Sequence, residues 1–294
     1  MREAASIGFV GLGVMGEPMC RNLAIKSGLS VAAFDIKSEP LARIVAHGVR
    51  AATTAAEAAR ADVVFVSLPG GPELEALCHG ASGLVSGARA GQTYVDLGTS
   101  PVTLTRALGG EFAARGADYA DAPVARTREA AEQGTLSIMV GGRAETFARI
   151  RPLLAHMASD ITHCGGLGAG QVAKLVNNMV LFETLGALAE ALALARRSGV
   201  DAKLLFETLS KGSADSFALR NHGMKSMLPG IFPERAFSVE YALKDLDYAL
   251  ALAKDAGLEL EGAELAGRRL RAAIAAGDGK LYHPAIARLF EAKP

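Results

Sequence analysis

The chain has 294 residues, half of them apolar, and its 31 Lys plus Arg are balanced by 31 Asp plus Glu. That length predicts a soluble protein of two globular domains, with a core large enough to need neither disulfides nor a structural metal. Zero net charge without any Lys/Arg run argues against nucleic acid as a partner. Three scattered cysteines, Cys20, Cys78 and Cys164, with no C-x-x-C pair, argue against a secreted disulfide scaffold.

Residues 1–10 run almost directly into an apolar strand, with no basic region, long apolar stretch or cleavage site, so an uncleaved, cytoplasmic chain is expected. Short β-branched runs at residues 6–10, 30–35, 62–68 and 93–97 alternate with amphipathic stretches. This pattern predicts βαβ units and a parallel sheet. The run 62–68 is apolar almost throughout, as a central strand covered on both faces should be. Further strands are expected at 117–121, 136–140 and 161–164.

The pattern changes at Gly165-Gly-Leu-Gly-Ala-Gly170, and residues 171–197 read as one helix about 40 Å long. Its apolar residues surround it on nearly every side, which suits a helix packed between two domains. The tract 179–195 carries Glu183 and Glu190 and falls short of an uninterrupted membrane span, so no membrane partner is expected. After Ser198 only helices are predicted, at 202–211, 216–227, 241–256 and 261–276. The expected fold is therefore α/β: a Rossmann-type, doubly wound, mostly parallel sheet over residues 1–165, an interdomain helix over 166–198, and an all-α domain over 199–294.

Gly8-Phe-Val-Gly11-Leu12-Gly13-Val14-Met15-Gly16 places G-x-G-x-x-G after a strand and at the opening of a helix. The first glycine permits the tight turn, the second admits a pyrophosphate, and the third lets helix and strand pack. The helix N-terminus adds unpaired N–H groups and a positive dipole end. Asp35, nineteen residues after Gly16, can bind both ribose hydroxyls of adenosine and would repel a 2′-phosphate. NAD is thus the expected cofactor, with NADP left open by Lys37. The rival reading makes the three glycines simple turn formers and Asp35 a solvated strand end.

Lys174 and Asn178 are i and i+4 on the long helix, about 40° apart around its axis, and share one face. Val172, Ala173, Leu175 and Val176 around Lys174 predict partial desolvation, which favours proton transfer. An amide one turn away could hold a hydroxyl or carboxylate. The pair suits acid/base chemistry on an alcohol, the bland alternative being a snorkelling lysine and asparagines that satisfy backbone groups. The six histidines show no metal-ligand spacing and no metal is expected; no serine sits in a G-x-S-x-G context.

These motifs, taken with Asp121-Ala-Pro-Val124, Gly134-Thr-Leu136 and Lys244-Asp-Leu246, are similar in order and spacing to the β-hydroxyacid dehydrogenase family. That family includes 3-hydroxyisobutyrate dehydrogenases, tartronate semialdehyde reductases and sulfolactaldehyde reductases. The resemblance implies that Lys174 is the catalytic acid/base and that Asn178 orients substrate. It further implies that Lys244 and Phe237 close over the nicotinamide end, that Leu68 and Pro69 line the cofactor site, and that the protein is a homodimer or homotetramer. Where the commonest family pattern has Ser-Gly-Gly, this chain has Ala125-Arg126-Thr127, which resembles the sulfolactaldehyde reductase variant. Arg126 then offers a rigid fork to a carboxylate, sulfonate or phosphate; alternatively Arg126 and Arg128 face solvent or pair with Glu129 or Glu132. The loop after Asp96 is one residue shorter than usual, leaving Thr99 as the expected contact to nicotinamide and substrate.

The expected activity is NAD-dependent interconversion of a small anionic 3-hydroxy acid and its semialdehyde or keto form. Sulfolactaldehyde, a dicarboxylic semialdehyde, a serine-like hydroxy amino acid and 3-hydroxyisobutyrate all stay open as substrates. A non-catalytic nucleotide-binding scaffold would lack Lys174, as imine reductase relatives commonly do. Decarboxylating phosphogluconate-type enzymes have a much larger helical domain.

Overall fold

A computed structural model describes residues 5–80, 82–234 and 236–290. The chain divides into two compact units, Met1–Lys174 and Leu175–Pro294. The division falls within the long helix.

The first unit holds a nine-stranded sheet. Its strands are β1 (Ser6–Val10), β2 (Ser30–Phe34), β3 (Arg50–Ala51), β4 (Val63–Val66), β5 (Thr93–Asp96), β6 (Asp118–Asp121), β7 (Val124–Ala125), β8 (Leu136–Gly141) and β9 (Ala158–Gly165). Between them run helices α1 (Gly16–Lys26), α2 (Ser38–Val45), α3 (Ala55–Ala58), α4 (Gly71–His79), α5 (Leu84–Gly87), α6 (Val102–Ala114), α7 (Arg128–Gln133) and α8 (Ala144–Leu154). The order is β3-β2-β1-β4-β5-β6-β8-β7, with β9 paired to β8. The first six strands are parallel, and β8 turns antiparallel to β6. The chain changes direction between β1 and β4, the place where open α/β sheets form a ligand crevice.

Period-two alternation explains the double winding. Val63 and Phe65 of β4 join Ile7, Phe9 and Met19 on one face, while Val64 and Val66 join Tyr94, Phe112 and Tyr119 on the other. The Phe112 ring stacks between Tyr94 at 4.2 Å and Tyr119 at 5.3 Å. Seven strands lie where the β-branched runs predict them. The other two, β3 and β7, are two residues each, too short for alternation to register.

Register sets the functional edge of this sheet. Phe34, Val10, Val66, Asp96, Asp121 and Gly141 form one continuous row across six strands. Whatever follows β1, β4, β5 and β6 therefore emerges along a single edge.

The long helix α9 (Ala169–Arg197) begins in the first unit and continues into the second. There its Phe182, Leu185, Leu188 and Leu192 share a core with α11 (Val239–Asp255) and α12 (Glu261–Ala273), which follow α10 (Ala202–Leu209). By length and composition α9 could cross a membrane. Its Phe182 face is instead buried in protein, while Val176, Val180 and Leu194 are exposed. The predicted helix at 216–227 forms as a π-helical segment, Leu219–Met227. The one at 261–276 ends at Ala273 and passes into a second π-helical segment, Ile274–Asp278, where Gly277 takes φ +92°.

His222 is buried in this unit, 2.6 Å from the Tyr282 hydroxyl and beside the His283 ring. Burial, with a smaller contribution from Lys225, lowers its pKa to about 4 from an ordinary 6.5. Above pH 6.5 neither the folded nor the unfolded chain protonates it. As pH falls from 6.5 through 4, the unfolded chain takes up a proton that the folded chain resists, so stability declines. Chemical denaturation followed over that window should show a loss on the order of 3 kcal/mol in the wild type and a much flatter profile in His222→Gln.

Candidate active site

The edge is assembled first by glycines. Gly11 follows β1 with φ +93°, and a Cβ there would lie 2.2 Å from the Ser67 carbonyl oxygen at the end of β4. A Cβ on Gly16 would lie 2.1 Å from the Gly11 carbonyl oxygen, so α1 can start against the turn only with glycine. Gly13 is exposed, with nothing within 4 Å of where its Cβ would be. The backbone there is open to a close ligand. Leu12 is buried and anchors the loop, Val14 is half exposed, and Met15 precedes α1 without a side-chain cap; since the Glu17 amide donates to the Gly13 carbonyl and Pro18 has no N–H, an anion would meet the amides of the turn itself, up to Gly16. Asp35, just beyond β2, accepts the Leu12 amide at 2.6 Å through Oδ2 and the Lys37 amide at 2.8 Å through Oδ1. The open Gly13 backbone, the uncapped helix start and a carboxylate at the end of β2 fit a dinucleotide: Gly11 to Gly16 would hold its pyrophosphate and Asp35 its adenosine ribose.

Leu68 and Pro69 follow β4 on the same edge, Leu68 half-buried and Pro69 exposed. Thr99 follows β5, half-buried between Gly98 and the buried Ser100. Asp96, which ends β5 and is 1% exposed, accepts the Gly98 amide and the Ser100 hydroxyl, both at 2.8 Å.

Asp121, fully buried at the end of β6, accepts the amides of Gly168 and Gln171, both at 2.7 Å. These are donors at the start of α9, where a helix has amides without intrahelical partners. Burial pushes the Asp121 carboxyl above its usual range, and the amides of Gly168, Gln171 and Gly170 pull it back down. Lys174 stands one turn further along, half-buried. The first unit thus brings the glycine loop, Thr99 and the lysine-bearing turn of α9 to one sheet edge.

After Asp121 the chain runs into the segment Ala125-Arg126-Thr127, expected from the sequence to meet substrate. Ala125 pairs with Ser137 in the sheet, and Thr127 caps α7 by accepting the Ala130 amide. Arg126 has φ +85°. Its Nη1 donates to the Thr135 carbonyl at 2.6 Å and the Ser159 hydroxyl at 2.8 Å, and its Nη2 to Asp160 at 2.6 Å. Arg128 pairs with Glu132 at 2.9 Å. Asn22 on α1 donates to the Ala131 carbonyl at 2.9 Å, which ties α7 to the glycine-loop helix.

In the second unit Asn178 is 2% exposed and donates to Asp245 Oδ2 at 2.7 Å. Asp245 Oδ1 lies 2.8 Å from Lys244 Nζ, an ion pair held by charge rather than by hydrogen-bond alignment. Lys244 also lies over the rings of Tyr248, at 4.9 Å, and Tyr241, at 5.7 Å. Phe237 stacks near Phe182 and accepts the His283 ring N–H through its carbonyl. One buried carboxylate therefore joins two of the predicted residues, Asn178 and Lys244.

Sequence reasoning passed over Asp96, Asp121, Gln171 and Asp245. All four lie in or beside motifs singled out above, but as scaffold rather than as site residues; for Asp96 and Asp121 the available signal was an acidic side chain closing an apolar strand. A cavity of about 350 Å³ touching Arg60, Arg89 and Tyr94 lies at the opposite, amino-terminal edge of the strands and shares no residue with this site.

Residues 6–166 match the family described as the NAD-binding domain of 6-phosphogluconate dehydrogenase, and residues 168–290 the one described as the NAD-binding domain of NADP-dependent 3-hydroxyisobutyrate dehydrogenase. The chain is 35% identical to the 2-(hydroxymethyl)glutarate dehydrogenase of Eubacterium barkeri, over 99% of this chain and 96% of that one. It is 33% identical to the 2-hydroxy-3-oxopropionate reductase of Escherichia coli, over 97% of each. The 3-hydroxyisobutyrate dehydrogenase of Mycobacterium tuberculosis, solved with L-serine, superposes with a TM-score of 0.89 at 33% identity, covering 98% of this chain and 99% of that one. With its glycine loop, its lysine-bearing helix and this likeness over nearly the full length, the chain belongs to the β-hydroxyacid dehydrogenase family, as an NAD(P)-dependent oxidoreductase acting on CH–OH groups.

Proposed function

We propose that this protein interconverts a small 3-hydroxy acid bearing a second acidic group and the corresponding semialdehyde, with NAD as its preferred cofactor. One observation carries the reading: buried Asp121 fixes the turn of α9 that precedes Lys174 to the sheet edge on which the glycine loop opens. An amine is thereby held beside a dinucleotide site.

Held by the Gly11 to Gly16 turn and Asp35, a nicotinamide dinucleotide would supply the hydride acceptor in oxidation and the hydride donor in reduction. The protein handles the proton: Lys174 takes it from the hydroxyl in oxidation and returns it to the carbonyl oxygen in reduction. Asn178, one turn along α9, has its Oδ1 accepting from Asn177 and one Nδ2 hydrogen held by Asp245, and offers the remaining N–H to the substrate. Thr99 and, on the family resemblance, Lys244 and Phe237 are the residues assigned to the nicotinamide end and substrate, and Ala125, Arg126 and Thr127 would take the acidic group.

The preference for a dianionic substrate rests on Arg126. Its pairing with Asp160 is exposed on both sides, and such pairs are worth about 0–1 kcal/mol. A sulfonate or second carboxylate can therefore displace Asp160 at little cost. The Eubacterium barkeri relative is named for 2-(hydroxymethyl)glutarate, a hydroxymethyl dicarboxylate, which supports this. The serine bound to the Mycobacterium tuberculosis relative makes hydroxy amino acids the competing class. We further infer a homodimer or homotetramer in the cytoplasm, without nucleic acid or membrane partners. The exposed Val176, Val180 and Leu194 of α9 and three free thiols support the assembly and the reducing compartment.

Lys174→Ala should lower kcat by at least about a hundredfold while NADH binding, followed by fluorescence, stays within twofold; retained turnover would overturn the acid/base role. Asp35→Ser should lower the ratio of kcat/KM for NAD over NADP by about tenfold or more in the same assay, removing the repulsion of a 2′-phosphate. On a panel of monocarboxylic, dicarboxylic, sulfonated and amino hydroxy acids, Arg126→Ala should raise KM selectively for the dianions. Asp160→Asn, which frees the guanidinium, should lower KM for the same compounds.

A further inference from the structure

Gln171 is fully buried on the first turn of α9, and each polar group of its side chain has a partner. Its Nε2 donates to the Gly98 carbonyl at 2.9 Å and to Asp96 Oδ2 at 3.3 Å, and its Oε1 accepts the Ser100 amide at 3.1 Å. Those two backbone groups flank Thr99. Its own backbone amide is one of the two that Asp121 holds. Along α9 it stands three residues before Lys174, so the two share a helix face.

We propose that Gln171 is a positioning residue that locks the Thr99 loop against the turn of α9 carrying Lys174, and so fixes the distance between the nicotinamide contact and the proton-transfer group. Thr99 and Lys174 belong to separate segments, the end of β5 and the start of α9. The Gln171 side chain bridges these segments, fastened on one side to Gly98 and Ser100 and on the other, through its main chain, to Asp121. The residue type follows from the chemistry. The Gly98 carbonyl requires a donor and the Ser100 amide an acceptor, and a side-chain amide supplies the two from separate atoms without charge. A glutamate would set a second buried carboxylate beside Asp96, and a lysine could not accept. Asp96 completes the lock by bonding the Gly98 amide and the Ser100 hydroxyl, so the loop is held from both sides of Thr99. Gly98 is the residue that fits here: a Cβ would lie 3.0 Å from the Leu68 carbonyl oxygen and 3.1 Å from Asp96 Oδ1. The loop is thereby also seated on the segment that follows β4. Misplacement by about 1 Å is enough to cost on the order of a hundredfold in rate.

The inference rests on the roles proposed above for Lys174 and Thr99, and the test separates the two. In the full-length protein, Gln171→Met keeps the length and loses the hydrogen bonds. It should lower kcat by about tenfold or more, with KM for NAD and NADH affinity within threefold of wild type. Combined with Thr99→Val, the double variant should be no slower than the slower single one, because both changes break the same unit. Additive losses, or a Gln171→Met kcat within twofold of wild type, would overturn the proposal. Gln171→Glu gives an independent readout should the methionine variant fold poorly. Its carboxyl can donate only when protonated, so its kcat relative to wild type should rise as pH is lowered; a flat ratio would overturn the proposal. Lys174→Ala, assayed in parallel, tells which idea fails: an active Lys174→Ala removes the acid/base role, whereas an inactive one beside a fully active Gln171→Met removes only the lock.

Discussion

The arrangement depends on one carboxylate accepting hydrogen bonds from the open end of one helix. A helix start carries amides without intrahelical partners and a partial positive charge. A buried carboxylate without donors would be costly. Asp121 removes both penalties at once, since its oxygens take the Gly168 and Gln171 amides while its backbone closes β6. Close approach is possible because two glycines face each other there. A Cβ on Gly170 would lie 2.3 Å from the Met139 carbonyl oxygen, and one on Gly141 would lie 2.4 Å from Asp121 Oδ1. Substituting either would push α9 off the sheet and carry Lys174 with it.

The register of the sheet turns that local bond into a site. Because Val10, Val66, Asp96 and Asp121 stand in one row, the turn after β1, the Thr99 loop and the start of α9 share an edge whatever the lengths of the intervening helices. Anions can be bound there in a chain with no net charge. The positive potential is local, supplied by backbone amides at Gly11 to Gly16, by Lys174 and, from the segment before α7, by Arg126. In the second unit Asp245 plays a role related to that of Asp121. It orients Asn178 and pairs with Lys244, so an amide N–H and an ammonium are held by the two oxygens of one carboxylate.

Much of this was legible in the residues, and what was not has a physical reason. The glycine loop, Asp35 and the i, i+4 placement of Lys174 and Asn178 are short-range patterns, and periodicity or spacing reveals them. The bonds from Asp121 to α9 span 47 and 50 residues in sequence, and the one from Asn178 to Asp245 spans 67. No local pattern encodes those partners. The strands β3 and β7 were missed because two residues cannot show alternation. The segment Leu219–Met227 reads as an α-helix but closes as a π-helix, a difference in hydrogen-bond reach that leaves the same apolar residues facing inward. Arg126 is expected from the sequence to meet an anion, but its engagement with Thr135, Ser159 and Asp160 depends on β9 lying beside β8, a tertiary fact.

That engagement bears on why an arginine can stand at this point. A left-handed backbone costs a residue with a Cβ roughly 1–2 kcal/mol, and at φ +85° Arg126 accepts it where glycine would be free of it. Strain of this kind persists when the surroundings over-determine the conformation. Here three donor contacts hold the guanidinium, two to neutral oxygens and one to an exposed carboxylate. The neutral contacts fix the side chain's direction, while the carboxylate balances its charge only weakly because water screens it. The result is a cation kept in place by geometry and only loosely neutralised, which is what the role proposed for Arg126, anchoring a second acidic group in place of Asp160, requires.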